Sequence, residues 1–209
     1  MTETAITDYG FRSDAASHTH AYLYPAVIAA LAAHAPGSKL FELGCGNGAM
    51  AATLAARGYD IAGVDPSPSG IAIAQASSNP CRLEHGSSDE NLGARFGRFD
   101  AVLSLEVVEH VFSPKRYAEA IDELLVPGGI AVLSTPYHAY LKNLALALSG
   151  KMESHFTALW EGGHIKFWSR ATLAQLFARA GFEEIDFARV GRIPALAKSM
   201  VVTYRKRAA

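Results

Sequence analysis

Short apolar runs ending on turn residues alternate along the chain with longer stretches whose apolar positions recur at helical spacing. Runs of the first kind suit strands covered on both faces, and the alternation is the habit of βαβ units feeding a parallel sheet. It predicts strands over 40–43, 61–64 (closing on Asp65), 81–85, 99–105 and 130–135, the last entered through Pro127-Gly128-Gly129. Helices are predicted over 49–57, 68–77, 114–125 and 170–180, the last stopped by Gly181, a residue free to adopt the backbone that ends a helix. Residues 182–190 and 197–204 read as a closing antiparallel pair. The fold class is therefore α/β: a doubly wound, mostly parallel sheet of seven strands with an antiparallel terminal strand.

Two stretches stand outside the alternation, 17–34 before the first strand and 136–169 after the fifth. Ligands of open α/β sheets bind outside the carboxyl ends of the strands, so both are expected to fold over that edge as helical lid segments. The first is predicted as an amino-terminal lid helix and the second as a substrate-lid insert. Without repeats, low-complexity tracts or linker-like segments, residues 1–209 read as one domain.

Composition narrows the class. Half of the 209 residues are hydrophobic and 19% are charged, which suits a compact core. A net charge of -1 is a poor match to a phosphate backbone, so no nucleic-acid partner is expected. Cys45 and Cys81 make neither a disulfide framework nor a clustered zinc site, and the polar amino terminus is unlike a signal peptide, so a cytoplasmic location is expected. The longest apolar stretch, 21–35, is broken by Pro25 and His34 and falls short of the ~20 residues of a bilayer span. Nothing in the sequence sets an oligomeric state.

Candidate chemistry begins at Glu42-Leu43-Gly44-Cys45-Gly46-Asn47-Gly48, between a predicted strand and helix. Glycines at alternate positions let the backbone turn tightly and bring amides and a helix start close to a ligand. With Ala49 the loop also satisfies the dinucleotide pattern, and Asp65 stands where a ribose-binding acid would stand with either cofactor. Glu42 is easier to explain beside an amino-acid ammonium group than beside a pyrophosphate.

Taken with Gly63-Val64-Asp65-Pro66-Ser67, Phe99-Asp100-Ala101-Val102 and Leu125-Val126-Pro127-Gly128-Gly129, the loop resembles, in order and spacing, the motifs of class I S-adenosylmethionine-dependent methyltransferases, whose sheet is Rossmann-like. The resemblance runs from about residue 38 to 184. It implies that Glu42 helps to hold the methionine portion, that Gly44, Gly46 and Gly48 carry it, and that Asp65 takes the ribose hydroxyls, with Cys45 and Pro66 also at the cofactor. Leu105 ends the fourth strand at the cofactor edge, and Ser87, Ser88 or Asp89 is expected near the adenine amine.

Leu105 is followed by Glu106-Val107-Val108-Glu109-His110. On a helical turn Glu106, Glu109 and His110 share one face, and the run resembles the Glu-x-x-Glu-His signature of ubiquinone-biosynthesis O-methyltransferases, which is associated with a divalent cation. Three roles stand open for the trio: acid-base or positioning chemistry at His110, a site for Mg²⁺ or Zn²⁺, or capping and lining of the cleft. Further echoes are Ser134-Thr135-Pro136, Lys142-Asn143 and Gly163-His164-Ile165-Lys166-Phe167.

The insert carries Tyr137, His138, Phe156, Trp160, His164 and Trp168, and Tyr137, His138, Trp160, His164 and Trp168 are expected to wall a water-poor acceptor pocket. Its leucines 144–148 are expected to pack on the sheet, His155 to serve a lid or surface role, and the insert's contact with a membrane is supported only by Lys142 and Lys151. The expected function is methyl transfer from S-adenosylmethionine to an oxygen or nitrogen of a small, aromatic or apolar acceptor. The alternatives are a nicotinamide-dependent oxidoreductase, for which the chain has no Tyr-x-x-x-Lys pair, and a noncatalytic S-adenosylmethionine-binding regulator.

Overall fold

The structure, a computed structural model, describes residues 8–156, 158–160 and 162–208, without the side chains of residues 154 and 155. The role expected of His155 lies outside them. Seven strands form one sheet in the order β3-β2-β1-β4-β5-β7-β6. They are β1 (Lys39–Leu43), β2 (Asp60–Asp65), β3 (Arg82–His85), β4 (Phe99–Leu105), β5 (Leu125–Pro136), β6 (Phe182–Val190) and β7 (Ser199–Lys206). Strands β1 to β5 pair in parallel, and β7 runs antiparallel to both β5 and β6. The order reverses between β1 and β4, so the loops after these two strands part there and leave a crevice at their carboxyl ends.

Alternation along the strands feeds two cores. In β5, Ile130 and Val132 join the cluster beneath α1 (His20–Ala30), α2 (Ala49–Ala55) and α3 (Pro68–Ala76). Ala131 and Leu133 join the opposite cluster, covered by α4 (Leu92–Phe96), α5 (Pro114–Leu124) and α8 (Arg170–Arg179). With both faces buried, continuous apolar runs are what these strands need. Helix α8 opens on a capping box between Ser169 and Thr172, and Gly181 follows it at φ +88°.

Three expectations are corrected. The amino-terminal segment is not a lid: Leu23, Val27 and Leu31, spaced four apart, form a stripe buried against the sheet. The insert folds as α6 (Tyr140–Leu148) and α7 (Met152–Phe156), and α6 buries none of its residues, so its leucines do not pack on the sheet. Leu144 is 39% and Leu148 80% exposed. The Pro127-Gly128-Gly129 turn lies inside β5, where Leu125 pairs with Phe99 and the ladder slips before Ile130 pairs with Ala101. Helix α4 was not foreseen, because five residues are too few to show a period. No helix among the described residues is long and apolar enough to cross a membrane.

Candidate active site

At the cofactor end, Gly44, Gly46 and Gly48 all take positive φ, and a Cβ on Gly44 would come within 2.3 Å of Val107 Cγ2. The loop is therefore closed to side chains by its backbone and by the β4 turn together. The amides of Gly44 and Cys45 donate to Val64 O, whereas the Cys45 thiol lies in the core, so Cys45 offers the crevice main chain only. Asp65 accepts from the Gly46 amide at 2.7 Å and the Ser67 amide at 2.8 Å, which fixes its carboxylate between two loops. Burial raises its pKa against those two bonds.

Glu42 is wholly buried, and its Oε2 has no hydrogen-bond partner. Burial, then the charge of Asp65, pushes its carboxyl up to about 8. A buried carboxyl with one oxygen left unpaired beside an acidic neighbour is suited to a cationic partner, so the site fits the ammonium end of an amino-acid-bearing cofactor. Pro66 is held by a His85 ring nitrogen at 3.1 Å from its carbonyl. Ser88, half-buried, and Asp89, exposed, sit on the loop after β3 at the same sheet edge. Leu105, half-buried at the end of β4, pairs with Ser134.

Glu106 is the one non-glycine residue with positive φ, +56°, among those described. Its amide meets Ser134 at the carbonyl (3.1 Å) and hydroxyl (2.9 Å), and its carboxylate accepts from Ser134 Oγ at 2.7 Å and Ser199 Oγ at 3.1 Å. The Tyr22 hydroxyl lies 3.4 Å from Ser199 Oγ. Glu106 thus ties β4 to β5 and β7 instead of sharing a face with His110. Backbone strain of this kind persists where surroundings over-determine it.

Glu109 is buried, and neither of its carboxylate oxygens has a hydrogen-bond partner. Burial, then the nearby Glu106, holds its pKa well above the carboxylate range. His110 Nδ1 is 2.7 Å from the carbonyl of Gly162 and 3.2 Å from that of Gly163. Carbonyl oxygens only accept, so Nδ1 carries the hydrogen and Nε2 of the neutral ring keeps its lone pair. Burial lowers the pKa of His110 against those bonds, favouring that neutral form.

The end of the insert is stitched to this turn. Glu109 O accepts from the amides of Ile165 and Lys166, Lys166 Nζ donates to the carbonyls of Val111 and Phe112, and the Trp168 indole donates to Val108 O at 3.0 Å. His164 is thereby brought over Glu109, with Nε2 4.0 Å from Oε1. Ligand atoms of Glu109, His110 and His164 lie within 4.8 Å of one another. A carboxylate with unpartnered oxygens and two imidazoles suits a borderline cation. The cluster the structure brings together contains His164 in place of Glu106, whose oxygens are taken by the two serines.

The expected acceptor pocket is divided. Trp160 and His164 lie with His110, at ring separations of 5.7 and 4.9 Å. His138 instead faces Phe167 at 5.0 Å in a separate cavity of about 330 Å³, lined also by Asn143, Met152 and Phe156. Trp168 is not a pocket wall: it is 9% exposed and belongs to the core, held there by its indole bond. Tyr137 packs against Phe187 at a ring separation of 6.4 Å, its amide bonded to Lys198 O. Sequence reasoning missed Tyr9 and Ser199 at this site. Tyr9 lies edge-on to His110 at 5.7 Å and Trp160 at 6.5 Å.

Comparison with known proteins adds independent findings. Residues 16–186 match a family model described as a methyltransferase domain. The ubiquinone biosynthesis O-methyltransferase of Cereibacter sphaeroides is 35% identical over 157 residues, 72% of this chain and 62% of that protein. Its counterpart in Azorhizobium caulinodans is 35% identical over 160 residues, 73% of this chain and 61% of that one. The match thus spans under two thirds of these relatives. Among solved structures, magnesium protoporphyrin IX methyltransferase from Synechocystis with bound SAH superposes with a TM-score of 0.68 at 18% identity, covering 88% of this chain and 82% of that one. An S-adenosylmethionine-dependent methyltransferase from Mesorhizobium loti gives 0.67 at 19%, covering 88% and 97%.

Proposed function

Because the chain belongs to the methyltransferase domain family, as a class I S-adenosylmethionine-dependent methyltransferase, we propose that it methylates an oxygen of a small aromatic acceptor, with His110 as the base. S-adenosylmethionine, when bound, supplies an electrophilic methyl group on a sulfonium sulfur. Glu42 would meet its ammonium group, the amides of the Gly44–Gly48 loop its methionine portion, and Asp65 its ribose hydroxyls. Ser88 and Asp89 stand on the loop that would border the adenine.

The observation that carries the reading is the contact of His110 Nδ1 with the Gly162 carbonyl, which assigns the ring's tautomer. With Nδ1–H held by Gly162 O, Nε2 is a neutral base in a recess of aromatic rings. It accepts the acceptor's hydroxyl proton as the oxygen–methyl bond forms and the sulfur–methyl bond breaks, leaving a neutral thioether. Most of the rate comes from positioning, and a base adds about 10²–10⁴-fold. Trp160 and His164 favour a flat acceptor, and the exposed apolar side chains of α6 suit one with an apolar tail or a contact with a lipid surface. An oxygen acceptor is what the names of the ubiquinone biosynthesis O-methyltransferase relatives point to.

A second reading rests on Glu109. A Zn²⁺ or Mg²⁺ ion held by Glu109, His110 and His164 would satisfy its unpartnered oxygens and lower the pKa of a bound hydroxyl. Two nitrogen donors favour Zn²⁺ of the two. The test is methyl transfer to a panel of phenols, catechols and amines, in wild type and His110→Ala, with EDTA and with each metal restored. Transfer to phenols that is lost in His110→Ala and indifferent to EDTA supports the base. Loss on EDTA with recovery on Zn²⁺ supports the metal. Turnover untouched by His110→Ala contradicts both.

A further inference from the structure

Residues 8–16, before α1, lie across the cofactor loops and begin beside the base. Asp8 Oδ1 accepts from the hydroxyls of Ser67 and Ser69 at the start of α3, the first at 2.6 Å. These bonds hold its carboxyl down at about 2, so it is charged throughout the neutral range. The Phe11 amide donates to Ser69 Oγ at 3.0 Å, and its ring packs over Gly46 and Gly70, where an added Cβ would come within 2.9 and 3.0 Å of it. Farther along, Asn47 Nδ2 donates to the carbonyls of Ser13 (2.8 Å) and Ala15 (2.9 Å). Asn47 and Gly46 belong to the glycine loop, and Ser67 and Ser69 follow Asp65. The segment is therefore anchored on both loops that Asp65 joins.

We infer that Tyr9, carried on this strap, is a positioning residue for His110, so that the base is fully ordered only while the strap is closed over the cofactor loops. The insert supplies one side of the clamp through the Gly162 carbonyl, Trp160 and His164. Tyr9 supplies the other, edge-on to the His110 ring and in contact with Trp160. Removing it leaves the Nδ1 bond in place but takes away the wall that sets the tilt of the ring and the direction of Nε2. Because the strap's anchors are on the cofactor loops, opening it both frees His110 and opens the way to the cofactor. The inference rests on the proposed role of His110.

Two readouts test it. The first is the His110 ring signal in a ¹H–¹³C spectrum, assigned by its loss in His110→Gln. The second is the dissociation rate of S-adenosylhomocysteine, followed by stopped-flow fluorescence with Trp160→Phe as the control for the signal. Tyr9→Ala is expected to shift the His110 signal by removing a ring current, and Tyr9→Phe to restore it. Asp8→Ala with Phe11→Ala is expected to reproduce the Tyr9→Ala shift and to speed release of the ligand about tenfold, as expected for local opening of a tethered segment. A His110 signal unchanged by Tyr9→Ala overturns the inference, and so does one unchanged by the double variant. Failure of S-adenosylhomocysteine to bind wild type would strike the proposed function instead, and the His110 signal of the free protein would still decide the contact.

Discussion

A neutral imidazole has one basic nitrogen, and at His110 the carbonyls of Gly162 and Gly163 decide which one. Truncation to Ala should lower methyl transfer about 10²–10⁴-fold while leaving S-adenosylhomocysteine binding within about twofold, measured by single turnover and calorimetry. Since burial lowers the pKa of His110, the acid limb of the rate should fall below the ordinary imidazole value of 6.5, with a plateau above it. The same shift makes the unfolded chain the better proton binder. Its contribution to stability is present above 6.5 and is lost as pH falls through the lowered value. Glu42 has the opposite sign: its carboxyl is raised from 4.5 to about 8, so its contribution is present below 4.5 and is lost as pH rises toward 8. Glu42→Gln should therefore melt about 5 °C higher than wild type at pH 8 without ligand, yet bind S-adenosylmethionine about tenfold more weakly. Equal melting temperatures at pH 8 would show that the carboxyl is solvated.

At the scale of elements, two apolar helices of similar look behave differently. Helix α1 buries Leu23 and Val27, and α6 buries nothing. Leu23→Ala should cost about 2–5 kcal/mol in urea unfolding, and Leu148→Glu less than about 0.5 kcal/mol. A large loss from Leu148→Glu would mean that α6 is covered in solution. The parallel strands and the glycine loop were legible from sequence because their signals are local: apolar runs of four to seven residues, and glycines whose positive φ shows in composition. The fate of the lid segments was not. Apolar periodicity shows that a helix has a face to bury, not which surface receives it, and hence the leucines of α6 were expected on the sheet and residues 17–34 as a lid. The run from Gly163 to Trp168 was legible as a motif, but its work, bonding the backbone of residues 108–112, appears only once the chain is folded.

Over the whole molecule, the reversal of strand order between β1 and β4 brings Glu42, Asp65 and the Glu106–His110 turn to one edge. The alternate glycines and the acids at strand ends revealed the cofactor half of the site. The acceptor half depends on contacts spanning much of the chain: Glu106 with Ser199, His110 with Gly162, and Tyr9 with His110. Such pairings leave no local pattern, so Ser199 and Tyr9 went unseen and Trp168 was placed in a pocket wall although it is a core residue. The central claim is that this edge binds S-adenosylmethionine through Asp65. Calorimetric titration of S-adenosylhomocysteine into wild type and Asp65→Ala, with NAD as the comparison ligand, tests it most directly. Micromolar binding of S-adenosylhomocysteine that disappears in folded Asp65→Ala, with no heat from NAD, is the predicted result. Binding of NAD, or of neither ligand by folded wild type, would contradict it.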